Sequence, residues 1–156
     1  MIDVEVPGVG TFAIEHVVLD VNGTIAVDGA VVASVAEHVG RLSRDVTVWM
    51  ITADTHGVAA ETASGLGISV EIIAPGSEGA QKTAFVERLG ASGVVAVGNG
   101  ANDAGMLAAA AVGVCVVGPE GAAAQAVSAA DVVVTSIDDA LGLLVTPSRL
   151  VATLRR

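Results

Sequence analysis

Three short clusters in the sequence combine residue types that handle phosphate and hard cations. Asp20-Val21-Asn22-Gly23-Thr24 offers a carboxylate followed by a turn. Thr52-Ala53-Asp54-Thr55 offers hydroxyls beside a second acid, and Gly98-Asn99-Gly100-Ala101-Asn102-Asp103 places a third acid in a glycine-rich loop. Taken singly, each has an ordinary alternative: turn chemistry for 20–24, helix capping for Thr52 and Asp54, and a loop with Asn102 as N-cap for 98–103. Taken together they imply more. Asp20 and Asp103, facing each other with few bases nearby, are unfavourable unless a hard cation neutralises them. Mg²⁺ suits such oxygen-rich surroundings, keeping waters and accepting substrate phosphate oxygens. Lys82, near the start of a helix, would supply the positive charge a phosphoryl group needs; its ordinary alternative is a solvated surface lysine. A dinucleotide reading of Gly98-Asn99-Gly100 fails because Asp103 stands where the third glycine belongs, and no Gly-Lys-Ser or Gly-Lys-Thr loop occurs.

Each cluster follows a short apolar run. Runs at 17–19, 47–51, 70–73, 94–97, 114–117 and 132–134 are continuous rather than alternating, the pattern of strands covered on both faces. Between them, 31–43, 58–65, 80–89, 102–111 and 122–129 carry helical patterns, so the spacing predicts βαβ units and a parallel sheet. In an open sheet of that kind ligands bind at the carboxyl ends of the strands, and the three clusters should meet along that edge. Residues 1–15 read as a hairpin turning at Pro7-Gly8-Val9-Gly10, and 136–156 as two short helices with Pro147 in a first turn. With no repeat and no linker, residues 1–156 read as one α/β domain.

Composition removes whole classes of function. The 156 residues carry 7 Lys and Arg against 17 Asp and Glu, a net charge of −10, which repels nucleic-acid backbones. Hydrophobic residues are 53% and charged ones 15%, enough apolar surface for a sizeable core, but aromatics are only 2%, so Ala, Val, Leu and Ile must build it. Mean hydropathy is +0.73. Even so, the longest uncharged apolar stretch, 104–119, is shorter than a spanning helix needs and is broken by Gly113 and Gly118. The acidic start, Met1 to Glu5, is unlike a secretory signal. A cytoplasmic protein with no membrane partner is the expectation, with homo-oligomerisation left open. The single Cys115 reads as core packing, as does Trp49.

Asp20 to Thr24, Ile51-Thr52, Lys82 and Gly98 to Asp103 together resemble the four ordered motifs of the haloacid dehalogenase (HAD) superfamily. Within it they are most similar to the phosphorylation domain of P-type ATPases. Met50-Ile51-Thr52-Ala53-Asp54 is similar to their Met-Ile-Thr-Gly-Asp segment, and 98–103 to their Gly-Asp-Gly-x-Asn-Asp segment. The resemblance covers roughly Val17 to Val134. It implies a three-layer, Rossmann-like fold with a mostly parallel central sheet. It also implies a nucleophile, Asp20, that becomes an aspartyl phosphate. By the same resemblance Gly23, Thr24, Thr52, Ala53 and Lys82 would bind the phosphoryl group. Asp20, the Asn22 main-chain carbonyl, Asn99 and Asp103 would hold Mg²⁺, while Asp54, His56 and Asn102 would contact substrate.

Two positions depart from the family. Asn22 stands where phosphatases of this superfamily carry a general acid, and an amide cannot donate and retrieve a proton; such catalysis contributes about 10²–10⁴-fold. Asn99 stands where most relatives place Asp, so the metal site loses one charge. His56 would supply the missing acid or act only as a loop residue. Only 25–51 separates the first two motifs, and 74–81 is equally short, so the chain is expected to be capless, its site open to a small phosphate ester or a phosphorylated partner. The reading is a slow Mg²⁺-dependent phosphatase. Its rivals are a HAD-like domain that binds Mg²⁺ and phosphoryl groups without turnover, a receiver-like domain, and a structural oligomer. A receiver would need an acidic pair at the end of the first strand, where this chain has one Asp in a Gly-Thr turn.

Overall fold

A computed structural model describes residues 1–54 and 57–156. Thr55 and His56, the latter expected near substrate, lie outside the described residues. The chain opens with an antiparallel hairpin, β1 (Ile2–Val6) and β2 (Gly10–Ile14), paired from Ile2 with Ile14 to Val6 with Gly10. Next come β3 (His16–Asp20), a two-stranded flap of β4 (Ala26–Val27) and β5 (Ala30–Val31), and helix α1 (Val35–Leu42). Then follow β6 (Thr47–Thr52), α2 (Ala59–Leu66), β7 (Ser69–Ile72), α3 (Glu78–Leu89), β8 (Val94–Gly98) and α4 (Ala104–Ala109). The last elements are β9 (Val112–Val116), α5 (Ala124–Ala129), β10 (Val132–Val134), α6 (Ile137–Val145) and α7 (Pro147–Leu154).

Six strands form one parallel sheet in the order β10-β9-β8-β3-β6-β7. Its middle strands are apolar on both sides because both sides are covered. Val17 and Leu19 face a core shared with Val35, Val39 and Leu42 of α1 and with Leu141 and Leu144 of α6. Val18, Val94 and Ala96 face the opposite core, with Phe85 and Val86 of α3, Met106 and Leu107 of α4, and Ala126 of α5. This is the three-layer, Rossmann-like arrangement, and Val35, Val39 and Leu42 show how a helix meets it: at intervals of four and three they bury one stripe. Burying each such side chain contributes about 1.5–3 kcal/mol. Among the described residues, no helix is long and apolar enough to cross a membrane.

The strand order fixes where a ligand can sit. From central β3 the chain moves outward through β6 and β7, then returns to the other side of β3 as β8, β9 and β10. The crevice between β3 and β8 is therefore the point at which the winding reverses, and Asp20 and Gly98 end the two strands there.

Several boundaries differ from the sequence pattern, and three of them have clear local reasons. Helix α1 begins at Val35 rather than 31, because Ala30 and Val31 pair back onto Ala26 and Val27. The turn between them is Asp28-Gly29, both at positive φ (50° and 79°), as a two-residue hairpin of type I′ requires. Helix α4 begins at Ala104 rather than 102: residues Ala101–Asp103 form a 3₁₀ turn, and the Asp103 side chain accepts from the main-chain N–H groups of Asn99 and Gly100. Asn102 is thus not the cap of that helix. Strand β9 starts at Val112, two residues early, where the Gly113 N–H donates to Asp131.

Candidate active site

Asp20 is the last residue of β3 and is 7% exposed. Past it the chain turns sharply, with the N–H of Thr24 on the Val21 carbonyl (3.1 Å) and the N–H of Gly23 on Ala26 (2.8 Å). Gly23 takes φ +80°, and a Cβ there would meet the Asn99 amide at 2.2 Å, so this turn accepts glycine alone. The Thr24 hydroxyl, buried, lies 3.1 Å from Asp20 Oδ2 and 3.2 Å from Asn99 Oδ1, tying the first cluster to the last.

Lys82 is the centre of the site. It shares the inward stripe of α3 with Phe85 and Val86, at intervals of three and four, so the helix carries it to the edge of the sheet. It is 1% exposed, contrary to the surface alternative, and its Nζ donates to Asp20 Oδ1 and to Asp103 Oδ1, both at 2.6 Å. The two carboxylate oxygens are therefore separated by no more than twice that distance. Burial alone would strip the charge from Lys82. Asp20 and Asp103 outweigh it and hold its pKa above that of a free lysine. For Asp20, burial and then the Asp103 carboxylate push the pKa up to about 6, against the pull of Lys82 and Thr24.

A cavity of about 400 Å³ opens above this group. Asp20, Asn22, Thr52, Ala53, Asp54, Lys82, Asn99 and Asn102 all line it, so most of the residues expected at the site are brought together. Asn22 is exposed there, while Thr52, Ala53 and Asp54 are half-buried. Asp54 has φ +40°; its N–H meets the Thr52 hydroxyl (3.3 Å) and its Oδ1 accepts from the N–H of Val58 (2.9 Å) ahead of α2. Asp54 thus lines the cavity without capping α2, whose N-cap is Val58 and has no side-chain cap bond. Gly23 and Thr24 lie behind the wall rather than on it.

Asp103, expected as a metal ligand, is held here through both of its carboxylate oxygens. It is fully buried and outside the cavity wall, with Oδ1 on Lys82 and Oδ2 taken by the N–H groups of Asn99 (3.0 Å) and Gly100 (2.8 Å). Its role in this geometry is to fix Lys82 and the 98–103 loop. Among the described residues, no group of three His, Cys, Asp or Glu side chains is gathered to hold a metal ion. The oxygens nearest Lys82 at the cavity are instead the Asp20 carboxylate and the Asn99 amide, beside the turn that carries the Asn22 carbonyl, with the Asp54 and Glu78 carboxylates elsewhere on the lining. That hard, all-oxygen set fits Mg²⁺, which is held by one or two carboxylates with waters and substrate oxygens filling the rest. The Asp20–Lys82–Asp103 triad also leaves one uncompensated negative charge, which a divalent cation would offset.

One charged lining residue escaped the sequence reading. Glu78 starts α3 and reaches the cavity with Oε2 accepting from Asn102 Nδ2 (3.0 Å). Its signal was its spacing, four residues before Lys82 and so on the same helical face. Of the two residues expected in the core, Cys115 is fully buried. Trp49 is half-buried, donating through Nε1 to His16 (3.3 Å) with its ring edge-on to Phe85.

Fold and site together are those of a haloacid dehalogenase-like (HAD) hydrolase. The profile of the haloacid dehalogenase-like hydrolases matches residues 2–111, and the chain belongs to that family. An uncharacterized protein of Methanocaldococcus jannaschii is 47% identical over 62 residues, which are 40% of this chain and 67% of that protein. Among solved structures, the fold is similar to 3-deoxy-D-manno-octulosonate 8-phosphate phosphatase from Moraxella catarrhalis, in complex with magnesium, phosphate and KDO. There the TM-score is 0.72 and the identity 20%, over 92% of this chain and 94% of that one. The cobalt-bound phosphatase YrbI of Haemophilus influenzae gives 0.68 at 16% identity, over 91% and 90%. The catalytic domain of the CPx-ATPase CopB-B gives 0.62 at 24% identity, over 75% of this chain and 46% of that one.

Proposed function

We propose that the chain is a Mg²⁺-dependent phosphohydrolase that works through a phosphorylated Asp20, turning over slowly. The observation that carries the reading is a buried lysine 2.6 Å from two carboxylates at the floor of a cavity, at the point where the sheet winding reverses. Asp20, the Asn22 main-chain carbonyl and Asn99 would hold Mg²⁺, and Asp103 would act through Lys82 and the loop. When bound, Mg²⁺ offsets charge on the phosphoryl oxygens. Asp20 attacks phosphorus, the bond to the leaving oxygen breaks, and water later cleaves the Asp20–phosphorus bond to return the carboxylate and inorganic phosphate. Thr52 and Ala53 line the side from which Lys82 meets the phosphoryl oxygens, stabilising the charge that develops there. Substrate would be a small phosphate ester or a phosphorylated partner entering the open cavity, with Asp54 and Asn102 at its edge. The test is hydrolysis of an aryl phosphate with Mg²⁺. Asp20→Asn should abolish it, on the order of a 10⁴-fold loss or more; activity surviving unchanged rejects the mechanism.

A second reading rests on Asn22 and Asn99, two amides where acids would serve turnover. It is a domain that binds Mg²⁺ and a phosphoryl group as a sensor or partner subunit. Beryllium fluoride with Mg²⁺ separates the two: a rise in Tm with no hydrolysis of any phosphate ester favours the sensor.

A further inference from the structure

The central sheet ends in two edge strands, and they are guarded differently. At one end β7 carries Glu71, which pairs with Arg88 of α3 at 2.7 Å. In the separate hairpin, β1 carries exposed Asp3 and Glu5. Charges of this kind keep a foreign strand from pairing with an edge. At the other end β10 is Val132-Val133-Val134, with no charge and no proline, and among the described residues no strand pairs with it beyond β9. The N–H of Val117 donates to the Val134 carbonyl (2.8 Å), so the main chain of Val134 faces β9 and that of Val133, one residue back, faces outward. The Val133 side chain is 48% exposed, on the same face as Cys115, its partner in register. Val117, two residues past Cys115, is exposed there too, as is Val127 of α5, the helix whose Ala126 packs on that face. The stretch 121–136 holds one charged residue, Asp131, and its Oδ2 is taken by the Gly113 N–H.

We propose that β10 is the seam of a homodimer, in which a two-fold axis sets Val133 against Val133 of a second copy and joins the two six-stranded sheets edge to edge. Charge selects the occupant. A chain of net charge −10 repels its own copies over most of its surface, and this edge lets two of them approach without setting acid against acid. Symmetry makes the seam self-complementary. A two-fold normal to the sheet runs the paired strands antiparallel, and the residue on the axis exchanges both N–H···O=C bonds with its own copy. Val133 has the outward main chain that this requires, and a β-branched side chain opposite its equal is a favourable cross-strand pair. Three residues make a short seam, so the exposed apolar surface of Val117 and Val127 beside it adds what the main chain cannot. The result is a weak dimer that forms with rising concentration. No residue lining the cavity belongs to β10 or α5, so the dimer does not depend on phosphoryl chemistry.

Sedimentation equilibrium of the full chain reads the mass directly. The wild type should move from 15.3 kDa towards twice that value as concentration rises. Added salt should tighten the dimer, because it screens the repulsion between two acidic copies. Val133→Lys sets two ammonium groups directly opposite at the axis and should raise Kd at least about tenfold. Val127→Lys, on the surface of α5, is a second variant that does not touch the strand and should raise Kd at least about threefold. Val133→Thr keeps the β-branch and should leave Kd within about threefold, as should Ile72→Lys on the exposed edge β7. Circular dichroism confirms that each variant is folded. A wild type that stays at 15.3 kDa up to about 10⁻³ M overturns the proposal. So does a dimer that neither Val133→Lys nor Val127→Lys weakens, or one that Ile72→Lys dissolves, which would put the seam at β7.

Discussion

On the inner wall of the cavity Lys82 bonds two carboxylates, and behind that wall Asp103 has both oxygens filled by Lys82 and by two main-chain N–H groups. On the outer wall, Asn22 is exposed, and Glu78 is half-buried with one contact, to Asn102. The inner groups come from β3, α3 and the loop after β8, all packed on the sheet; the outer ones stand on a turn and at a helix start. The difference teaches where precision is built. Groups that must hold a phosphoryl oxygen to tenths of an ångström are fixed by partners out of water, where each bond is stronger and each loss costlier. Groups that would meet the rest of a substrate are left free to be changed. If that contrast is right, substitutions on the inner wall disturb folding and chemistry together, and a conservative substitution at Glu78 on the outer wall disturbs neither the fold nor phosphoryl transfer from a small donor.

The largest effect on stability should follow Lys82→Met. The side chain keeps its bulk but leaves Asp20 and Asp103 buried and facing each other without a cation. Breaking a buried ion pair from one side costs about 3–5 kcal/mol, and denaturant titration should show a loss of that order. Adding Asp103→Asn to Lys82→Met should recover part of it, since the repulsion disappears. A loss below about 1 kcal/mol in the single variant would mean that the inner wall is no more tightly bound than a surface pair.

The pH dependence of Asp20 sharpens the same point. Its pKa is raised from 3.8 to about 6 by burial and by Asp103, so the folded protein holds this proton more tightly than the unfolded chain. The stability that this proton contributes is therefore complete below pH 3.8 and is lost as pH rises through about 6. Asp20→Asn removes the ionisation. In metal-free buffer its stability relative to wild type should improve between pH 4 and pH 7, by on the order of 1–3 kcal/mol. Activity runs the other way, because the nucleophile must be ionised. Without excess Mg²⁺ the acid limb of kcat/KM should fall near pH 6, and added Mg²⁺ should move it to lower pH by favouring the carboxylate.

Gly98→Ala should act through Asp103. A Cβ at 98 would lie 2.6 Å from the Asp103 carboxyl carbon and from Oδ2, so the side chain must leave the N–H groups of Asn99 and Gly100. Overpacking of this kind costs about 1–3 kcal/mol. Displacement of Lys82 should lower phosphoryl transfer up to about 10²-fold with KM less affected.

Much of this was readable before any coordinates. Continuous valine-rich runs marked the six parallel strands because both faces of such a sheet are covered, and the three polar clusters followed because they end β3, β6 and β8. What escaped depended on contacts between distant residues. Lys82 was placed at the site by its motif, but its burial between two carboxylates was not foreseen, and only its phase with Phe85 and Val86 hints at it. Asp103 has the chemistry of a metal ligand, but which partner its oxygens face is decided by the 3₁₀ turn at Ala101–Asp103. The flap was signalled by Asp28-Gly29, yet the helical pattern beginning at 31 ran across it. Glu78 was hidden because its partner, Asn102, lies 24 residues away.

The smallest effect, and the sharpest check on the outer wall, is Glu78→Gln. The side chain is half-buried and its single contact, with Asn102, survives in an amide through Oε1 accepting the same N–H. Stability should stay within about 0.5 kcal/mol of wild type, as for surface substitutions away from special features. Asp20, Lys82 and Asp103 are untouched, so the rate of Asp20 phosphorylation from acetyl phosphate should hold within about twofold. The variant nonetheless removes one of the three acidic groups that, among the described residues, line a cavity whose one cation is Lys82. A bulkier, anionic donor should then bind better, with KM falling by up to about tenfold at low salt and less at high salt, as exposed charges are screened. If the small donor slows as much as the large one gains, Glu78 belongs with the inner wall and the division drawn between the two is misplaced.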